Sequence, residues 1–169
     1  MSHAPPGDQA SVTVTLAVAL DEAFEIFTKE IDRWWRRGPR YRMARGDRGF
    51  IRIEPGVGGR VFESYDANDG EKVIEVGRTK VWDPPHRLLF EWRAANFGPG
   101  EKTEVEVRFH GSASGTRVTV VHRGWSAIRP DHPARHGATG ADFSRMIGLW
   151  WGEQMSALRV FAEAARTAR

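Results

Sequence analysis

The chain has 169 residues, a formal net charge of +3 and no cysteine. Its length fits one domain with one core, and the small excess of positive charge does not indicate a nucleic-acid partner. The absence of cysteine excludes disulfides, thiol nucleophiles and cysteine metal ligands, and it is typical of a cytoplasmic protein. No apolar run reaches the roughly 18 residues of a membrane-spanning helix, so membrane insertion is not expected.

The N-terminal part of the chain is a short polar segment followed by a strand. Residues 1–10 lack the basic and apolar regions of a secretory signal, and we expect them to be a disordered lead. Residues 11–166 are predicted to form the single domain. Residues 12–18 alternate in polarity and include several β-branched side chains, which predicts the first strand.

Two short helices are predicted after this strand. Asp21 is the expected N-cap of a helix over 22–28, because its side chain can accept from a free backbone N–H of the first turn. A second helix is predicted over 29–36, where apolar side chains recur at helical spacing. Gly38 and Pro39 end this second helix.

The stretch 33–48 carries a local excess of positive charge. Its arginines are Arg33, Arg36, Arg37, Arg40, Arg42, Arg45 and Arg48. One interpretation is a solvated loop. The other is a collar that attracts an anionic ligand or an acidic partner surface.

Residues 49–123 follow the period of two that is typical of strands. The predicted strands are 49–54, 59–66, 71–83, 87–95, 102–110 and 115–123. Strong turn signals separate them, which predicts an antiparallel meander with one face covered and the other mostly exposed to solvent. Glu63 and Glu91 alternate with aromatic residues, so we expect both carboxylates on the solvent-exposed face.

The C-terminal part contains a loop and a long helix. Residues 124–140 are rich in Gly, Pro and His and are predicted to form the loop, and residues 141–165 carry a broad apolar stripe at helical spacing. An apolar helix face and an apolar sheet face bury each other. The predicted fold class is therefore α+β, with a curved seven-stranded antiparallel sheet around a long C-terminal helix.

Four separate motifs give the chain a resemblance to a known family. They are VWDPPHRLLFEW at 81–92, EPGVGGRVFE at 54–63, GTRVTVVHRGW at 115–125, and the aromatic residues Phe27, Trp34 and Trp35 of the predicted short helices. Trp151, Met155 and Leu158 add a matching pattern in the last helix. The chain resembles the proteins related to activators of the ninety-kilodalton heat-shock chaperone ATPase, within the SRPBCC superfamily of START domains, birch-pollen-type allergens and aromatase/cyclases. The resemblance implies a helix-grip fold with a cavity between sheet and helix.

Seven tryptophans are a large supply for one core, and they indicate either an aromatic core or a cavity walled by rings. We predict a ligand site lined by Trp35, Phe62, Trp92, Phe109, Val120, His122, Trp150, Trp151 and Met155. His122 is interpreted as a hydrogen-bonded core histidine, or else as a polar anchor or an acid/base group facing the cavity.

No metal or cofactor site is expected. His132 and His136 are four residues apart, but Pro133 between them argues against the helix that would join both to one metal. The glycine-rich run at 56–59 leads into a strand, so it does not fit a dinucleotide-binding motif.

The sequence therefore favours binding of a hydrophobic or aromatic small molecule, without catalysis. One alternative is an enzyme of the cyclase, dehydratase or hydrolase type that uses the same cavity. Another is a chaperone-linked protein-interaction module, for which the arginine-rich stretch is the motive. Formation of a homodimer through a strand edge or the outer sheet face is left open.

Overall fold

The computed structural model describes residues 3–44 and 49–168. The sheet consists of β1 (Ala10–Leu16), β2 (Phe50–Ile53), β3 (Arg60–Ala67), β4 (Gly70–Asp83), β5 (Arg87–Trp92), β6 (Thr103–Ser112) and β7 (Gly115–Arg123). The helices are α1 (Leu20–Thr28), α2 (Ile31–Trp34) and α3 (Gly140–Thr167). The predicted α+β class, with two short helices after the first strand and a long C-terminal helix, is confirmed.

The short helices differ from the predicted ones at their ends. Helix α1 begins at Leu20 with Ala19 at the N-cap, so Asp21 lies in the first turn and the predicted cap is wrong. Helix α2 is a single turn, shorter than predicted, because Trp35 already has an extended backbone with ψ 121°. This early end directs the Trp35 side chain away from the helix axis and toward the interior.

The sheet is antiparallel throughout, with the strand order β1-β7-β6-β5-β4-β3-β2. Strands β2 to β7 form the predicted meander, and β1 pairs with β7 at one edge. The connection that carries α1 and α2 therefore runs from one edge of the sheet to the other. Register shifts beside Val61 and Thr79 mark bulges, which bend strands and strengthen the sheet's curl.

One end of the interior is filled by side chains. The ring of Phe24 lies 5.2 Å from that of Phe109, and the ring of Phe27 lies 5.8 Å from Phe109. Leu158 and Ala162 of α3 are completely buried in the same hydrophobic core. The helix is thus attached to the sheet by apolar packing, the main favourable term in folding.

The opposite, outer face of the sheet carries a buried carboxylate. Only 1% of the Glu106 side chain is exposed, and it accepts hydrogen bonds from Arg87, Arg108 and Arg123. Burial opposes ionisation of this carboxyl group, but the three guanidinium groups outweigh it and lower the Glu106 pKa to about 2. Ion pairs therefore cover the outer face.

No helix in the described ranges is both long and apolar enough to cross a membrane.

We predict that Glu106→Gln lowers the free energy of unfolding by about 3 kcal/mol at pH 7, because a depressed carboxyl pKa stabilises the folded state. This stabilisation is complete above the ordinary pKa near 4.5 and is lost as the pH falls toward 2. Urea unfolding at pH 7 and pH 3 measures the difference. Glu71→Gln, at an exposed position, is the matched control, and equal stability of the two variants at pH 7 would contradict the prediction.

Candidate functional site

A cavity of about 690 Å³ lies between α3 and the end of the sheet where β5 and β7 terminate. Its lining consists of Trp35, residues 38–44, Trp92, residues 94–96, His122, Trp125, Ala134, His136, Ile147, Trp150, Trp151 and Gln154. The volume is in the range of small-molecule sites, about 300 to 1,000 Å³. The interior is thus packed at one end and hollow at the other.

Five of the nine residues predicted to line a ligand site meet at this cavity. They are Trp35, Trp92, His122, Trp150 and Trp151. Phe109, Val120 and Met155 lie in the packed part of the core and do not line the cavity. The remaining residue, Phe62, is buried under the Arg60 guanidinium, 4.5 Å from the ring centroid, and belongs neither to the main core cluster nor to the cavity wall.

Indole rings form much of the cavity wall and contact one another. The Trp35 ring centroid lies 6.0 Å from that of Trp92 and 5.6 Å from that of Trp151. The Trp35 indole N–H donates to the Tyr41 carbonyl oxygen at 2.9 Å, which fixes the ring's orientation. Such rigid aromatic surfaces suit a flat apolar ligand.

A chain of hydrogen bonds runs through His122 at the floor of the cavity. The Trp151 indole N–H donates to His122 Nδ1 at 3.1 Å. Because Nδ1 is the acceptor, Nε2 carries the proton and donates to Thr103 Oγ1 at 2.7 Å. The Thr103 hydroxyl in turn donates to the Trp92 carbonyl oxygen. This chain connects α3, β7, β6 and β5.

His122 is held neutral by its surroundings. It is 3% exposed, and burial lowers its pKa to about 3. Both ring nitrogens already have partners, so no lone pair is free to take a proton from a substrate. This geometry supports the hydrogen-bonded core histidine of the two sequence-based interpretations.

One wall of the cavity is the segment 38–44, which we call the wall loop. Arg42 in this loop is almost fully buried and donates to the Asp32 carboxylate at 2.8 Å and to the Trp35 carbonyl oxygen at 2.8 Å. The same Asp32 oxygen accepts from the Ile51 backbone N–H. The wall loop is therefore tied to both α2 and β2, and Arg42 is not part of a solvated arginine stretch.

Glu63 provides the second attachment of the wall loop. Its carboxylate accepts from the backbone N–H groups of Met43 and Ala44, at 2.7 and 3.3 Å, and the residue is 1% exposed. Burial raises its pKa, although the two N–H bonds and nearby Arg42 act in the opposite direction. The predicted solvent exposure is therefore wrong.

The prediction for Glu63 is wrong because it assigns the residue to the wrong face of the sheet. Val61 and Glu63 point inward on β3, and Phe62 points outward. For Glu91, the predicted orientation toward the solvent-exposed face of the sheet agrees with the structure better than it does for Glu63. Its side chain is 20% exposed and pairs with Lys80 and Lys102.

The mouth of the cavity combines the half-buried Trp150 ring with exposed Arg40 and His136. The Arg40 guanidinium stacks over the Trp150 ring at 5.5 Å and lies 3.6 Å from the Glu153 carboxylate. The His136 ring packs edge-to-face against the Trp150 ring, with the two ring centroids 5.3 Å apart. Arg45 and Arg48 of the arginine-rich stretch lie outside the described residues.

Sequence reasoning missed Trp125, Tyr41 and Gln154 as lining residues. For Gln154 a signal existed, because it follows Trp151 by three positions and precedes Leu158 by four, which places it on the buried face of α3. Tyr41 and Trp125 lie in segments without a regular period, so their direction depends on tertiary contacts.

The histidines considered as metal ligands have other roles. His132 accepts from the Ala134 backbone N–H through Nδ1 and begins a short 3₁₀ turn, while His136 lies at the cavity mouth. No cluster of three metal-ligating side chains occurs in the described ranges.

Comparison with protein families gives one match that covers most of the chain. The family model described as Activator of Hsp90 ATPase homolog 1-like protein matches residues 17–144. No curated protein matches the chain significantly.

Solved structures with the same fold have low sequence identity. A Rhodobacter sphaeroides protein is 16% identical with a TM-score of 0.64, and the match covers 96% of this chain and 97% of that one. Protein SA2116 from Staphylococcus aureus is 12% identical with a TM-score of 0.66, and the coverage is 94% and 95%. DynU16, from the dynemicin biosynthetic locus, is 20% identical with a TM-score of 0.61, and the match covers 94% of this chain but 48% of DynU16.

We predict that the wild-type chain loses about 2–3 kcal/mol of unfolding free energy between pH 7.5 and pH 4.5 through His122 alone. The reason is that the unfolded histidine binds a proton below about pH 6.5, whereas the folded one stays neutral down to about pH 3. Denaturant unfolding across this range should show the loss in wild type and in the exposed control His86→Leu. It should be largely missing in His122→Leu, and an unchanged pH slope in that variant would contradict the assignment.

We also predict that Glu63→Gln loosens the wall loop, because an amide group offers one acceptor oxygen in place of two. Losing one hydrogen bond of about 1 kcal/mol should speed amide exchange at Met43 or Ala44 roughly fivefold to tenfold. Hydrogen exchange followed by NMR measures this, with Glu71→Gln as control. Unchanged protection at both amides would show that Glu63 does not hold the loop.

Proposed function

Because this chain belongs to the Activator of Hsp90 ATPase homolog 1-like family, a group associated with small hydrophobic ligands, we propose that it binds an aromatic small molecule in the cavity. The observation that carries this proposal is the 690 Å³ space at the end of the sheet, next to the buried aromatic and aliphatic side chains of the core. A concave, mostly apolar pocket of this volume with a few polar groups in its wall is the usual form of a small-molecule site.

The shape and chemistry of the wall support an aromatic ligand. Five indole rings, from Trp35, Trp92, Trp125, Trp150 and Trp151, surround the space. Rings of this kind bury a large apolar area and contact a planar ligand by stacking or edge-to-face packing. DynU16 comes from a biosynthetic locus, which fits a fold that holds small molecules.

The same geometry favours binding without catalysis. His122 was the candidate acid/base group, but its nitrogens are engaged by Trp151 and Thr103 and it is neutral above about pH 3. A general base requires a free lone pair within reach of the substrate proton. We therefore assign His122 to positioning the Trp151 ring in the cavity floor.

The interaction-module alternative has weaker support. The buried Arg42 guanidinium is hydrogen-bonded to the Asp32 carboxylate and to the Asp32 and Trp35 carbonyl oxygens. It therefore presents no charge to a partner protein. Arg33 and Arg40 are exposed but lie against Phe161 and Trp150, close to Glu30 and Glu153.

We predict that the neutral fluorescent probe N-phenyl-1-naphthylamine binds the wild-type chain, and that Ala94→Trp weakens binding at least tenfold. Ala94 lines the cavity, so the added indole occupies the space that the probe needs. Fluorescence titration gives the dissociation constants, and thermal unfolding verifies that the variant folds. The control is Ala113→Trp in the exposed β6–β7 turn. Absence of wild-type binding, or equal affinity in both variants, would refute the proposed function.

A further inference from the structure

Three side chains of the cavity wall carry polar atoms without a hydrogen-bond partner. In the part of the chain that the structure describes, these buried atoms are Tyr41 Oη, Trp125 Nε1 and Gln154 Nε2. Trp125 and Gln154 are each only 3% exposed. Buried polar groups in native proteins are nearly always paired, so each such atom requires an explanation.

These unpaired groups contrast with the other polar groups of the same wall. The Trp35 and Trp151 indole N–H groups both have acceptors, and both His122 nitrogens are engaged. Gln154 is half satisfied, because its Oε1 accepts from the Arg36 backbone N–H at 2.9 Å while its Nε2 has no acceptor. The indole and amide nitrogens are donors only, so what is missing at the cavity is an acceptor.

We propose that the ligand is an aromatic molecule with neutral oxygen acceptors, such as ketone or quinone carbonyls, which accept from Trp125 Nε1 and Gln154 Nε2. The inference rests on the proposed function, since it names the class of ligand for that cavity. The Tyr41 hydroxyl, in the wall loop, provides a third polar contact. All three atoms are inaccessible to solvent in this structure, so the proposal includes a local rearrangement of the cavity wall that exposes them to the ligand.

A neutral acceptor fits the charges of the cavity better than a carboxylate does. Arg42 already donates to the Asp32 carboxylate and to carbonyl oxygens of Asp32, Trp35 and Arg36. Arg40 lies at the mouth with 53% of its side chain exposed and has Glu153 nearby. A carboxylate at the buried floor would therefore lack a counter-charge, which is strongly unfavourable.

The test compares 9-fluorenone with fluorene, two planar molecules of similar size that differ by one carbonyl oxygen. Each is titrated against N-phenyl-1-naphthylamine bound to the full chain at pH 8, with fluorene-9-carboxylate as the charged member of the series. We expect 9-fluorenone to displace the probe with about tenfold higher affinity than fluorene, which is the difference that one net hydrogen bond makes. Fluorene-9-carboxylate should bind less tightly than 9-fluorenone.

Two variants assign the preference to particular donors. Trp125→Phe removes the indole N–H, and Gln154→Glu removes the amide donor while keeping an oxygen for the Arg36 N–H. At least one of them should reduce the ketone preference to threefold or less. Trp82→Phe, whose ring contacts Phe24 at the packed end, is the matched control and should keep the tenfold preference.

The outcomes separate this inference from the function on which it rests. If N-phenyl-1-naphthylamine itself does not bind, the proposed function is wrong and the inference fails with it. If the probe binds but fluorene displaces it as well as 9-fluorenone does, or neither does, binding stands and the carbonyl ligand is refuted. A ketone preference that survives in both donor variants also overturns the assignment.

Discussion

The hydrogen bond from the Trp151 indole to His122 is the contact on which the cavity depends. At the packed end, α3 is fixed to the sheet by complete burial of side chains such as Leu158 and Phe109. At the other end, a polar contact between two large rings connects α3 to β7. A directional bond of this kind fixes the distance between helix and sheet without filling the space beside it. The fold can therefore keep a hollow next to a dense core.

A second constraint concerns the wall loop, which has no regular secondary structure to satisfy its backbone. Glu63 accepts from the Met43 and Ala44 backbone N–H groups. The Arg42 side chain donates to the Asp32 carboxylate and to the Trp35 carbonyl oxygen, which ties the loop to the end of α2. Buried charged groups are costly unless they are paired and hydrogen-bonded, and here nearly every bond of the cluster serves the loop. The hydrogen bonds of this cluster offset the cost of burying its charged groups and hold the wall loop in one conformation. This explains why acidic and basic residues lie beside an aromatic site.

The distribution of polar groups bears on function. On the outer face, carboxylates such as Glu106 are fully paired with arginines, and inside the cavity His122 is fully paired as well. Groups with perturbed pKa values often mark catalysis, but Glu106 and His122, whose pKa values are strongly lowered, both have all their hydrogen-bonding atoms engaged by structural partners. The unsatisfied groups at the cavity are neutral donors. They are the groups that the proposed ligand contacts.

The sequence alone determined the elements, since alternation and helical spacing are local properties of the chain. Seven strands, the C-terminal helix and five of the aromatic or imidazole rings at the cavity follow from those patterns. Tertiary structure decided the rest. Alternation defines two faces on β3, but only the wall loop folding over one of them shows that Glu63 points inward and Phe62 outward. The position of the cavity depends on contacts between segments that are distant in sequence, and local sequence patterns do not predict such contacts.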